Sequence, residues 1–171
     1  MSTLGHAPRV IGVFRRADLP TGSRDVVLAL WHVSDPGNVG TLVRTADAFG
    51  ASVALSPGSA DPLGPRALRA TAGAIFRVPL VGWDAAPRPR LALVAHAGTP
   101  LPDQALEPPL TFVLGAERGG LPNEVVEGCQ AAVTIPLPGA AESLNVAAAG
   151  AIALYELSRR GFLPMGTRSA P

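Results

Sequence analysis

The sequence predicts an α/β domain whose mostly parallel sheet is flanked by helices. Three observations carry that expectation. Short apolar runs alternate with segments of helical spacing, the pattern of successive strand and helix units. The apolar runs are bounded by Gly, Pro, Ser and Asp in turn-forming combinations. The 171 residues are 47% hydrophobic and only 16% charged, which suits one compact domain with a full core and argues against disorder.

Residues 1–24 mix Gly, Pro and Arg around one short apolar piece, Val10 to Phe14, and read as an N-terminal arm or linker. From Val26 the pattern changes. Val26 to Val33 is an apolar run closed by Ser34-Asp35-Pro36-Gly37, a buried strand followed by a turn. Leu42, Ala46 and Phe49 then recur at helical spacing until Gly50 ends the pattern, and Ala51 to Leu55 forms a second strand. Pro65 to Thr71 is a short helix, and Ile75 to Val81 and Leu91 to Ala95 are strands. Pro87 to Arg90 and Thr99 to Pro109 are proline-rich connections. Thr111 to Leu114 and Ala132 to Ile135 are further strands, separated by a helical turn or two at Asn123 to Cys129. Leu144 to Arg160 is the last helix, so the main domain spans residues 25–162, with 163–171 as a C-terminal tail.

Composition excludes several function classes. The single cysteine, Cys129, forms no intrachain disulfide, and no Cys/His cluster has metal-ligand spacing, so no metal is expected. The N-terminus lacks a signal-peptide pattern. The longest apolar stretch, Leu144 to Leu157, is broken by Asn145, Gly150 and Glu156, so no membrane span is expected and the cytoplasm fits. All 14 basic residues are Arg, and 13 acidic residues nearly cancel them to a formal charge of +1. Bulk charge therefore does not announce a nucleic-acid binder. The pairs Arg15 with Arg16, Arg66 with Arg69, and Arg159 with Arg160 offer local phosphate-binding patches, or simply solvated surface.

Three segments stand where chemistry collects in open α/β sheets, at junctions following strands. In Asp35-Pro36-Gly37-Asn38-Val39-Gly40-Thr41-Leu42-Val43-Arg44, Asn38 either caps the helix or binds a ligand, and Gly40 permits close approach. Arg44 lies roughly 200° around the helix from Leu42 and so points outward, free to act or to pair with Asp47 three residues on. In Leu114-Gly115-Ala116-Glu117-Arg118-Gly119-Gly120-Leu121-Pro122, missing side chains leave room for a flat cofactor ring. The glycine pattern fits neither a dinucleotide fingerprint nor a phosphate loop. In Ile135-Pro136-Leu137-Pro138-Gly139-Ala140-Ala141-Glu142-Ser143-Leu144-Asn145-Val146, a proline-stiffened loop enters a helix whose natural N-cap is Ser143, with Asn145 beside it and free amides at the helix start. The run Ala147 to Ala151 is small-sided, either an ordinary alanine-rich helix or a surface for close packing.

In this order and at these intervals, N-x-G-x-x-x-R followed by A-F-G, then L-G-x-E-x-x-G-L, then I-P with S-L-N-V, resembles the SpoU or TrmH family of RNA ribose methyltransferases. Thr71-Ala72-Gly73-Ala74 also looks like that family's small-residue segment, and the resemblance covers about Val26 to Arg160. It implies a SPOUT-type α/β fold with a C-terminal trefoil knot, an exception to the rule of unknotted chains. It implies S-adenosyl-L-methionine as cofactor, lined by Leu114, Gly115, Ile135, Leu137, Ser143 and Leu144. The catalytic group it implies is Arg44, with Asn38, Glu117, Ser143 and Asn145 completing the polar site. Arginine is an awkward base because its pKa exceeds about 12, so Arg44 acts either as a base activated by an RNA phosphate or as a cation orienting that phosphate. The partners implied are RNA, either tRNA or rRNA, and a second copy of the chain in a homodimer for which the small-sided last helix is suited. Two departures from the family pattern are Ala147, where a polar residue is common, and the expected absence of the usual N-terminal RNA-binding domain. The competing reading is a knot-fold RNA-binding or assembly protein that keeps the donor pocket without turnover.

Overall fold

The computed structural model describes residues 12–163. Its first unit is β1 (Val26–Leu30), α1 (Pro36–Phe49) and β2 (Ser52–Leu55). The start of α1 is fixed by Asp35, whose carboxylate accepts the Asn38 N–H at 3.0 Å, and by Pro36, which has no N–H to leave unpaired at the first helical position. Its end is fixed by Gly50 at φ 69°, a left-handed conformation that costs glycine nothing. The cap is thus Asp35, not Asn38: its carboxylate takes the Asn38 N–H, and the Asn38 side chain is released for other bonds. β1 stops at Leu30, short of the expected Val33, where the chain turns toward α1.

α2 (Pro65–Thr71) follows β2 with the expected bounds, again with proline at its start. The next segment differs from expectation. Ile75 is buried, but Ala74–Phe76 is a 3-10 turn, and the N–H groups of Arg77 and Val78 both bond to the Ala74 carbonyl. Only Leu80–Gly82 forms β3. An apolar run packed as a turn carries the same composition as a strand.

β4 (Arg90–Leu93) and the two-residue β5 (Thr99–Pro100) come next, so the proline-rich connection contains an edge strand and a 3-10 turn at Leu101–Asp103. β6 (Leu110–Leu114), α3 (Asn123–Glu127), β7 (Ala131–Thr134) and α4 (Val146–Arg159) complete the chain. The seven strands lie in the order β3-β2-β1-β6-β4-β7-β5, and every pair is parallel. The chain first builds outward from β1 to β3, crosses to β4 and β5, inserts β6 between β1 and β4, and finally places β7 between β4 and β5.

The two faces are covered unequally. Leu28, Leu30, Phe112 and Leu114 point into the larger core with Leu42 and Val43 of α1 and Leu154 and Leu157 of α4. Val27, Ala29, Ala54 and Val113 form a thinner layer under Trp83, Leu121 and Val125, and Trp83 meets Trp31 at 5.0 Å between ring centres. Gly150 of α4 sits against Leu42 and Leu114, so part of the small-sided run is used for packing within the chain. Ala148 and Ile152 remain on the outside.

Several surface expectations change. Asp47 pairs with Arg77 at 2.6 Å, leaving Arg44 without it. Arg15 pairs with Asp18 at 2.8 Å, and Arg159 and Arg160 both grip Glu156, so neither expected patch is two free cations. The arm is tied down at its end, where Leu19 packs on the core and the Arg24 guanidinium donates to the Ala51 and Arg77 carbonyls at 3.0 and 2.7 Å. Leu163, expected in the tail, is buried in the core. The remainder of the expected arm and tail, residues 1–11 and 164–171, lies outside the described residues. Among the described residues no helix is long and apolar enough to cross a membrane.

Candidate active site

A cleft of about 580 Å³ opens at the carboxyl ends of β4 and β6, where the second half of the sheet meets the first. Parallel sheets place binding sites at such ends. Leu114, Gly115, Ile135, Leu137, Ser143 and Leu144, the six residues expected around the cofactor, all line it.

The segment after β6 folds on itself. Ala116 and Gly120 exchange backbone hydrogen bonds at 3.1 and 3.0 Å, and Gly120 adopts φ 62°. Gly115 lies so close to the Gly120 and Leu121 backbone that a Cβ has no place there. The expected room for a flat ring is therefore not at Gly115, which closes the turn, but beside Gly119 and Gly120, which face open space.

The three segments are joined by one chain of hydrogen bonds. Asn145 Nδ2 donates to Asn38 Oδ1 at 3.1 Å, and Asn38 Nδ2 donates to Glu117 Oε1 at 3.0 Å. The Glu117 carboxylate also accepts the Asp35 N–H at 3.0 Å, the Ser34 N–H at 3.2 Å and the Ser34 hydroxyl at 3.3 Å. Partial desolvation is the largest single influence on this carboxyl and opposes ionisation. The hydrogen bonds from Asn38, from its own backbone, and from Asp35 and Ser34 outweigh it together and hold the pKa down at about 2. Glu117 is thus a permanent anion at neutral pH, pinning the β1 to α1 turn against the glycine turn.

Asn145, not Ser143, caps α4: its Oδ1 accepts the N–H groups of Ala147 and Ala148 at 2.8 and 3.3 Å. The helix accordingly begins at Val146 rather than Leu144, because the proline-stiffened loop continues through Leu144. This frees the Ser143 hydroxyl, which is exposed on the cleft wall and makes no hydrogen bond among the described residues. Glu117, Ser143 and Asn145 line the cleft, and Asn38 reaches it through its bonds to two of them. Arg44 does not line it. Arg44 stands exposed on α1, with no hydrogen bond or ion pair among the described residues.

Three titratable side chains line the cleft without having been expected there: His96, Arg118 and Glu142. Only position signalled them, His96 just past a predicted strand and the other two inside glycine- or proline-rich loops. Asp35 was also readable as the cap, since it directly precedes Pro36.

The chain matches the family described as the SpoU rRNA Methylase family over residues 25–155. It belongs to that family. Similar proteins include the 23S rRNA (guanosine(2553)-2'-O)-methyltransferase RlmP of Bacillus subtilis, 35% identical over 141 residues, covering 77% of this chain and 57% of that protein. An rRNA methyltransferase from Sinorhizobium meliloti, solved with AdoMet bound, superposes with a TM-score of 0.74 at 33% identity, covering 84% of this chain and 59% of that one. A structure concerned with 2-OH methylation of C/U34 on tRNA superposes with a TM-score of 0.73 at 30% identity, covering 79% of this chain and 95% of that one. The chain spans about half the length of the curated relatives it matches. The parallel sheet and its flanking helices are as expected for the SpoU fold, with β5 as an additional strand.

Proposed function

We propose that this SpoU-family protein transfers a methyl group from S-adenosyl-L-methionine to a ribose 2'-hydroxyl of tRNA or rRNA. The observation that carries the reading is the Asn145, Asn38, Glu117 chain, which brings three segments distant in sequence to the rim of one cleft. The AdoMet bound to the Sinorhizobium meliloti relative and the 2'-O chemistry of the Bacillus subtilis relative support it.

The cleft fits such a donor. Its volume of about 580 Å³ is that of a nucleotide-sized site, and its walls combine apolar Leu114, Ile135, Leu137 and Leu144 with charged Glu117, Arg118 and Glu142. When bound, the donor supplies an electrophilic methyl carried on a sulfonium. The residues of this chain do the rest. Ser143, with its free hydroxyl, and Asn145, fixed by two helix amides and Asn38, orient the ribose for in-line attack, the step in which positioning lowers the barrier most. Glu117 takes no proton at neutral pH and serves as the anchor of that array. Arg44 approaches from the RNA side, either orienting a phosphate or, with that phosphate, taking the hydroxyl proton.

The catalytic unit in this reading is residues 25–162, working in the cytoplasm as a homodimer through the outer side of α4, where Ile152 and Tyr155 are exposed. A trefoil knot in the C-terminal part belongs to the same reading, supported by the late insertion of β6 and by the return of α4 across the sheet to pack on α1.

The test is incorporation of labelled methyl from S-adenosyl-L-methionine into bulk tRNA and rRNA, with mapping of the modified sugar. Methyl in ribose is the expected result. Absence of transfer to any RNA, with donor binding intact, favours a binding or assembly role and refutes the enzyme.

A further inference from the structure

We infer that His96 is a further residue of the donor site and holds the nucleoside part of the donor through its ribose hydroxyls. The inference rests on the donor reading above.

After β4 ends at Leu93, the chain makes a turn fixed at four points around His96. The Val94 N–H donates to the Val133 carbonyl at 2.9 Å, and the Ala95 carbonyl accepts the Thr134 hydroxyl at 3.0 Å. Ala97 holds φ 63°, a left-handed conformation that a residue with a Cβ rarely adopts. Gly98 lies against the Val133 and Thr134 backbone, where an added Cβ meets main-chain atoms at 2.7 to 2.9 Å.

These contacts tie the turn to β7 between β4 and β5, while Ala95, His96 and Ala97 themselves stay exposed. The side chain at its centre lines the cleft and makes no hydrogen bond or ion pair among the described residues. Backbone strain around an unpartnered imidazole is what a site prepared for a ligand looks like.

Chemistry assigns the part of the ligand. Arg118 and Glu142, the other charged cleft residues without partners, suit the carboxylate and ammonium of the donor's amino-acid end. The reacting methyl belongs near Asn145, beside the polar chain. What remains for the β4 side is the nucleoside, with Leu93 and Val94 as apolar wall. A neutral imidazole has one donor and one acceptor nitrogen, and a ribose diol offers both in return.

The experiment is titration calorimetry on the purified full chain with two unreactive ligands. S-adenosylhomocysteine carries nucleoside and amino acid, whereas 5'-methylthioadenosine carries the nucleoside alone. His96→Ala is expected to weaken both by a similar factor, about five- to tenfold for one lost hydrogen bond, and His96→Gln is expected to recover most of it. Unchanged affinities in His96→Ala overturn the inference. Weakening of S-adenosylhomocysteine alone also overturns it by moving His96 to the amino-acid end, as does a His96→Gln variant no better than Ala. Wild-type protein that binds neither ligand refutes the donor reading itself, and His96 falls with it.

Discussion

Asn38 is a single amide on which two other segments depend. It donates to Glu117 and accepts from Asn145, so its removal breaks both links at once. In Asn38→Ala, Asn145 still caps α4, and Glu117 still holds the Ser34 and Asp35 amides. The fold therefore survives while the relative placement of the segments loosens. The expected outcome is a loss of methyl transfer of about a hundredfold, the scale of misplacement effects, with S-adenosylhomocysteine affinity nearly unchanged. Equal losses in turnover and donor binding would count against the role. Arg44→Ala is expected to abolish transfer with donor affinity intact, because Arg44 is exposed and does not line the cleft. Calorimetry on that variant checks the placement. At this scale spacing correctly put Arg44 on the outer face of its helix, but it did not assign caps. Asp35 competes for that role with Asn38, where the following Pro36 is a signal, and Asn145 competes with Ser143, where only the backbone path decides which side chain meets the free amides.

Among the elements, α1 and α2 illustrate what patterning can and cannot reach. Both have proline at the start, and the left-handed residues Gly50 and Ala72 close them, so their bounds were readable. β3 was not, because Ile75 is buried in a 3-10 turn and Val78 just after it rather than in a strand, and burial alone sets their composition. The two-residue β5 lies inside a proline-rich connection and has too few residues for any period. Gly40 was readable as a point of close approach, but the sequence did not disclose that α2 is what approaches it. A Cβ on Gly40 collides with the Ala67 carbonyl oxygen and crowds Ala70, so the helices meet backbone to backbone at that point. Gly40→Ala gains helix propensity but forces the pair apart, and the net expectation is destabilisation of about 1–3 kcal/mol. Urea denaturation measures it. A variant as stable as wild type would show that α2 shifts freely.

For the whole molecule, the weakest tie is the far edge of the sheet, where β5 pairs with β7 over two residues. A clasp from α4 reinforces it. The Glu156 carboxylate, buried at the helix end, accepts from Arg159 at 2.9 and 2.7 Å and from Arg160 at 2.7 Å. Arg160 in turn donates to the carbonyls of Leu101, Pro102 and Gln104 at 3.0, 2.7 and 2.7 Å, just past β5. The Arg159 hydrogen bonds are the main cause of a low Glu156 pKa, desolvation opposes them, and Arg160 adds to the lowering, leaving it at about 2 against an ordinary 4.5. Its folded-state pKa lies below the unfolded one. The stabilisation is therefore complete above pH 4.5 and is lost as pH falls through that value toward 2. Glu117 has the same sign and the same window, though its exposure to solvent makes its share smaller. Glu156→Gln keeps the shape but removes the charge that both arginines share. At neutral pH it is expected to cost about 2 kcal/mol, the worth of hydrogen bonds to a charged group. As wild-type Glu156 itself becomes protonated the difference closes, so melting temperatures of the two proteins should converge as pH falls from 4.5 to 2. A gap that stays constant over that range would mean that the clasp holds by packing, not by charge.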